Sequence, residues 1–180
     1  MNYFEFYDIP LNFLVDEPAL RHIYYRNSKK YHPDFHTLSG EAQQAEMLQL
    51  STLNNEAFQT LADPDRRIRY ILELHGLLQN EGNPEMPRAF LLDMMDINEA
   101  LMELEFDFDP ARFEATSQAV QSLEDALYQE VKPILENYTP ETGAPEDLKK
   151  VLEYFLKKRY LLRIKENLSK FAPRAGMAEW

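Results

Sequence analysis

The segment KKYHPDFH, residues 29–36, sets an imidazole, a proline and a carboxylate side by side just past a run of cations. His32 and Asp34 could form an acid–base dyad, but no serine or cysteine nucleophile motif accompanies them. His32, Asp34 and His36 could hold a metal ion; the two histidines are four apart, yet no third ligand stands at a recognisable spacing. The remaining chemistry is recognition. Proline fixes one backbone angle and removes a donor, so the loop is stiff before anything binds. A rigid corner carrying His32 and Asp34 can be gripped by a second macromolecule.

Residues 18–31 lead into the corner with Arg21, Arg26, Lys29 and Lys30 and no acid, a local charge of +4 in a chain of net charge −12. Such cations can steer an acidic partner, an effect that weakens with salt. They also suit the negative end of a helix dipole as an ordinary solvated face. Residues 85–109 show the opposite sign: eight acids against Arg88, a local charge of −7. At about 100° per residue, Leu91, Met95 and Met102 lie roughly 120° round from the apolar seam of that segment. Leu92, Asp96, Glu99 and Glu103 follow on the same outer side. Apolar groups rimmed by charge mark protein-binding surfaces, and methionine suits an adaptable one. The alternative is that Leu91 and Met95 widen the core or pack against the N-terminal domain. His22 and His75 read as ordinary residues of amphipathic helices.

The elements that must position these groups are helical throughout. Glycine is scarce (5), and no β-branched alternating run is bounded by hairpin turns. Asp16 is an N-cap, with Glu17 and Pro18 in the first turn. Leu20, Ile23, Tyr24, Asn27 and Tyr31 then share one face. That helix ends near Tyr31, because Pro33 pushes His32 out of the helical region. A second helix starts after Ser39, buries Met47, Leu50, Leu53, Ala57, Phe58 and Leu61, and stops at the turn Ala62-Asp63-Pro64-Asp65. A shorter one follows, with Gly76 as a C-cap or Leu77 and Leu78 extending it. Residues 79–88 form a linker. Phe90, Met94, Ile97, Leu101, Leu104 and Phe108 make a heptad seam that Pro110 breaks. Phe113, Thr116, Val120, Leu123 and Leu127 continue it in a helix that Pro133 should kink or end. A last helix runs from about Asp147 to Phe171. Its cations (Lys149, Lys150, Lys157, Lys158, Arg159, Arg163, Lys165) are expected to pair with the acidic helices, each exposed pair contributing about 0–1 kcal/mol.

The fold class is therefore all-α, in two parts: a small helical domain at 1–78, and a three-helix bundle at 89–172 followed by a tail at 173–180. Apolar residues at 44 % support packed cores. The acidic balance argues against a nucleic-acid binder. Cysteine is absent, which excludes disulfides, thiolate metal sites and a cysteine nucleophile, and fits a reducing compartment. The start, MNYFEFYDIP, has no basic n-region, and no stretch reaches the roughly 20 apolar residues of a membrane span. A cytoplasmic location, with no cofactor, is the expectation.

The run His32-Pro33-Asp34, then Asn55, Ala57-Phe58, Thr60-Leu61, Asp63-Pro64 and Arg66 in NNEAFQTLADPDRRIRYIL, resembles the J-domain of DnaJ-type co-chaperones. The opening NYFEFYDIPLNFLVD, the run RYILELHG and the segment AFLLDMMDINEALMELE narrow the resemblance to HscB, the co-chaperone of iron–sulfur cluster biogenesis, over nearly the whole chain. The resemblance implies a J-domain followed by a C-terminal scaffold-binding bundle, and a protein that stimulates a partner ATPase without being an enzyme. It implies that Arg26, Lys29, Lys30, His32, Pro33 and Asp34 contact a DnaK- or HscA-type chaperone. It implies that Leu91, Leu92, Met95, Asp96, Glu99 and Glu103, with Phe155 of the last helix, contact an IscU-type iron–sulfur scaffold. Met95, Asp96 and Tyr154 depart from the bacterial pattern of that family.

Overall fold

A computed structural model describes residues 1–78 and 86–176. Most of the expected linker at 79–88, and the end of the expected tail, lie outside the described residues. Within them the chain forms seven α-helices and no strand. The helices divide between two compact units. One comprises Met1–Leu77 with Tyr138–Gly143, the other Leu78–Asn137 with Ala144–Trp180.

The first unit holds α1 (Tyr3–Tyr7), α2 (Glu17–Tyr31), α3 (Glu41–Ala62) and α4 (Pro64–Leu74). Asp16 caps α2 as expected, its carboxylate accepting the Ala19 N–H at 3.0 Å. The helix stops at Tyr31 because His32, ahead of proline, sits at ψ 129°. Asp63 caps α4 by accepting the Asp65 and Arg66 N–H groups, both at 2.9 Å. Gly76, at φ 72°, closes α4 with a Schellman pair: Leu77 N–H to Leu72 O and Gly76 N–H to Glu73 O, both 3.0 Å. The helix therefore ends at Leu74 and does not extend through Leu77.

α2 and α3 form a hairpin, and what registers it is polar. Asn54, buried on α3, donates its amide to Tyr24 O and Ser28 Oγ of α2, both at 3.2 Å. Its carbonyl oxygen accepts from the buried Tyr7 hydroxyl of α1 at 2.9 Å. Around this amide, Tyr24 stacks on Phe58 at 4.3 Å and Tyr3 on Tyr70 at 4.6 Å. The dense aromatic opening thus packs on α3 and α4. Arg67 is buried too. Its guanidinium donates to Phe13 O at 2.7 Å and to Leu61 O, tying the approach to α2 to the α3–α4 turn. Burial lowers its pKa, with Glu17 and Asp63 opposing the shift.

Tyr138, from the turn after α6, belongs to this unit. Its ring packs on Phe13 at 5.2 Å, and its hydroxyl meets His75 Nε2 at 3.2 Å. His75 Nδ1 lies 2.8 Å from Ile71 O, so Nδ1 carries the proton and Nε2 accepts from the tyrosine. Gly143 is required here, because a Cβ would overlap the Tyr138 ring.

The second unit holds α5 (Arg88–Phe106), α6 (Pro110–Asn137), α7 (Pro145–Ser169) and a 3-10 turn, Ala172–Ala175. Its core is the expected seam: Phe90, Met94 and Leu104 of α5 meet Phe113 and Val120 of α6 and Leu161, Ile164 and Leu168 of α7. Pro133 does not end α6, which runs on to Asn137. Val131 and Leu135, both buried beside it, offset an internal proline's cost of about 3 kcal/mol. The cations of α7 behave differently from expectation. Lys165 reaches Glu124 of α6 at 2.8 Å and Lys149 pairs with Glu146 of its own helix at 3.5 Å. Lys157, Lys158, Arg159 and Arg163 lie over the rings of Phe90, Tyr154, Phe155 and Tyr160. Long cationic stems cover apolar surface well while their heads stay in water.

Two stability predictions follow from the first unit. Arg67→Met leaves two buried carbonyls without donors, and chemical denaturation should show a loss of roughly 2–4 kcal/mol. Burial, with Tyr24 adding to it, raises the Tyr7 phenol above its ordinary value, so the folded state holds that proton longer than the unfolded chain. Its contribution is complete below about pH 10 and is lost as pH rises past that point. Tyr7→Phe should flatten the alkaline fall in stability, measured as melting temperature between about pH 9 and 11, while costing about 1 kcal/mol at neutral pH.

Candidate functional site

Between α2 and α3 the chain makes one 3-10 turn, Pro33–Phe35, with His32 as its N-cap. Pro33 has no N–H, so the first free donor of the turn is that of Asp34. His32 Nδ1 accepts it at 3.2 Å. The Asp34 carboxylate lies 3.7 Å from the same nitrogen, which would be an ion pair only if Nδ1 carried a proton. One nitrogen cannot serve both contacts. The shorter, hydrogen-bond distance fixes Nδ1 as the acceptor and leaves the proton on Nε2. The far end of the turn is closed by His36, whose backbone N–H donates to Pro33 O at 2.9 Å and whose ring Nε2–H donates to Lys30 O at 2.9 Å. The latter satisfies a C-terminal carbonyl of α2.

This leaves the chemistry facing solvent. The His32 side chain is 52 % exposed and that of Asp34 84 %. Arg26 and Lys29 are exposed and make no ion pair among the described residues; Lys30 lies over the Tyr31 ring at 5.3 Å. A shallow concavity links the helix to the turn, lined by Tyr25, Arg26, Lys29, His32 and Phe35 among others. The structure therefore brings Arg26, Lys29, His32, Pro33 and Asp34 to one exposed corner. Sequence reasoning missed Phe35, whose exposed ring meets His32 edge-on at 5.9 Å. It also missed His36 as a clasp, having weighed it only as a ligand. Among the described residues, no three histidine or acidic side chains cluster as metal ligands.

On α5, the stripe set apart from the seam is exposed: Leu91 42 %, Leu92 55 %, Met95 61 % and Met102 71 %. Asp96, Glu99 and Glu103 are exposed beside it, and Glu103 is tied to Arg112 of α6 at 2.6 Å. Phe106 extends the stripe at 97 % exposure. Its helical position, four residues past Met102 and eleven past Met95, was the signal available in the sequence. Phe155 is not part of this exposed set: on α7 it is 6 % exposed, beneath Arg159 at 5.5 Å. Exposed apolar groups with an acidic rim can accept an apolar partner surface edged with cations. None of the described helices is long and apolar enough to cross a membrane.

Comparison with known proteins agrees with this layout. The family model of the HscB C-terminal oligomerisation domain matches residues 86–169. The chain shares its fold with the chaperone HscB from Vibrio cholerae: TM-score 0.69, 23 % identity, covering 97 % of this chain and 99 % of that one. It also aligns with the crystal structure of the human co-chaperone protein HscB, with TM-score 0.71 and 30 % identity, covering 93 % of this chain and 80 % of the human one. Identity of that order, over an alignment that covers nearly all of this chain and not only the bundle, means that the chain belongs to the HscB family of co-chaperones.

Proposed function

We propose that this protein is an adaptor without an active site of its own. Through Arg26, Lys29, Lys30, His32, Pro33 and Asp34 it binds a DnaK- or HscA-type chaperone and stimulates its ATP hydrolysis. Through the outer face of α5 it binds an IscU-type iron–sulfur scaffold, delivers it, and so promotes cluster transfer. The observation that carries the reading is the corner at residues 32–34: every hydrogen bond that shapes it is internal, and the Asp34 carboxylate is left 84 % exposed. A free carboxylate on a stiff, cation-flanked turn is built to receive a donor from outside.

The α5 face supports the second half of the reading. Leu91, Leu92, Met95, Asp96, Glu99 and Glu103 are all exposed along α5, with Glu103 tied to Arg112 of α6. Phe106 joins them in this proposal as an additional anchor. Phe155 would support the face from within the bundle, so its truncation would cost packing as well as binding. A co-chaperone for a different client is the second reading, favoured by the same exposed stripe if a scaffold protein fails to bind.

Two measurements test these halves. Asp34→Asn should abolish stimulation in a chaperone ATPase titration while leaving melting temperature and scaffold binding unchanged; normal stimulation would refute the docking role. The combined variant Leu91→Ala, Met95→Ala, Phe106→Ala should weaken scaffold binding, read by calorimetry, by about 100-fold or more, since interface anchors contribute roughly 1–2 kcal/mol each or above. A melting temperature lowered by the same variant would instead place these residues in the core.

A further inference from the structure

His32 occupies the N-cap of a turn too short to hold its own shape. N-caps are commonly Asn, Asp, Ser or Thr, because a side-chain oxygen then reaches the N–H of the second or third residue. Here an imidazole does it. His32 has the extended backbone of a cap (φ −65°, ψ 129°), and Nδ1 reaches the Asp34 N–H, two residues on. The Phe35 ring, edge-on to the imidazole, limits its rotation further.

We infer that His32 is a positioning residue for the docking corner: neutral Nδ1, by holding the Asp34 N–H, sets the direction in which the Asp34 carboxylate is presented to the chaperone. The inference rests on the docking reading above and reassigns one residue within it. Of the two ring nitrogens, the one directly bonded to Cγ is already committed inside the turn. What the partner reads is therefore Asp34, and the imidazole acts through it. Losing the cap leaves Asp34 with an unpaired donor, at a bend then held by Pro33, by the Phe35 N–H on His32 O at 3.1 Å and by His36. The carboxylate then samples directions that do not meet the partner's donors, and stimulation falls even though no contact to the partner has been removed.

The side-chain amides separate the two nitrogens. The Asn Oδ1 stands in the place of Nδ1 and can cap the turn, whereas the Gln Oε1 stands in the place of Nε2 and cannot do so in the same geometry. Full-length wild type, His32→Asn, His32→Gln and Asp34→Asn are titrated into the ATPase assay of a purified DnaK-type chaperone, with melting temperatures recorded. His32→Asn should keep stimulation within about threefold of wild type. His32→Gln should lose at least about tenfold, the equivalent of roughly one hydrogen bond. Asp34→Asn should be inactive. All four should melt alike, because the corner is exposed. If Asn and Gln at position 32 fail equally while wild type stimulates and Asp34→Asn does not, the docking reading stands and the positioning role is overturned. Equal activity of the two variants overturns it as well. A wild type that stimulates nothing overturns the docking reading itself.

Discussion

The arrangement of the first unit depends on one buried amide. Asn54 is nearly inaccessible, and it joins three helices through Tyr7, Tyr24 and Ser28. A buried polar group without partners costs roughly 1–3 kcal/mol. The α2–α3 hairpin therefore has one register in which this amide is satisfied, and sliding either helix by a turn strands it. Apolar packing alone would tolerate that slide far better, since tyrosines recur along α2 and leucines along α3. Ser28 lies one helical turn before the end of α2. The register fixed at Asn54 is thus passed almost directly to Lys29, Lys30 and the corner beyond.

The two candidate faces solve different physical problems. The corner at 32–34 is polar, small and closed by its own hydrogen bonds, so little conformational freedom remains to be lost on binding. Its value lies in direction. The α5 stripe is apolar, spans most of a helix, and is built from leucine, methionine and phenylalanine side chains that can repack. Its value lies in buried area. On the proposed reading the first face triggers a response in one partner, and the second retains another. Their opposite charge, +4 on residues 18–31 against −7 on residues 85–109, lets one molecule sort two partners by sign before either contact forms.

The helix plan was legible because its signals are local. Asp16, Asp63 and Pro33 act on backbone groups within three residues, and the caps and stops stand where those residues require. The heptad seam of α5 was legible for the same reason, since a face repeating every three or four residues has one inside. What escaped was non-local or polar. Asn54 looks like a surface residue beside Asn55 until Tyr7 and α2 surround it. Arg67 is an ordinary cation in the run DRRIR until its guanidinium finds two carbonyls. Pro133 was expected to kink or end α6; the helix does not end there, and burial of Val131 and Leu135 works against a local penalty that sequence rules count alone.

The cations of α7 show why charge in a sequence does not translate into ion pairs. Seven of them were expected to face the acids of neighbouring helices; Lys165 does so, with Glu124 of α6. Four lie over aromatic rings. An exposed ion pair gives up side-chain entropy and hydration for little gain. A cation over a ring keeps its hydration and still covers apolar area. Phe90 and Phe155 border the surface of the bundle, and each has a cationic stem over it. Among the described residues, the acids of α5 other than Glu103 make no ion pair. A negative rim that its own bundle does not neutralise remains free to attract a partner from outside, which is what the exposed stripe beside it requires.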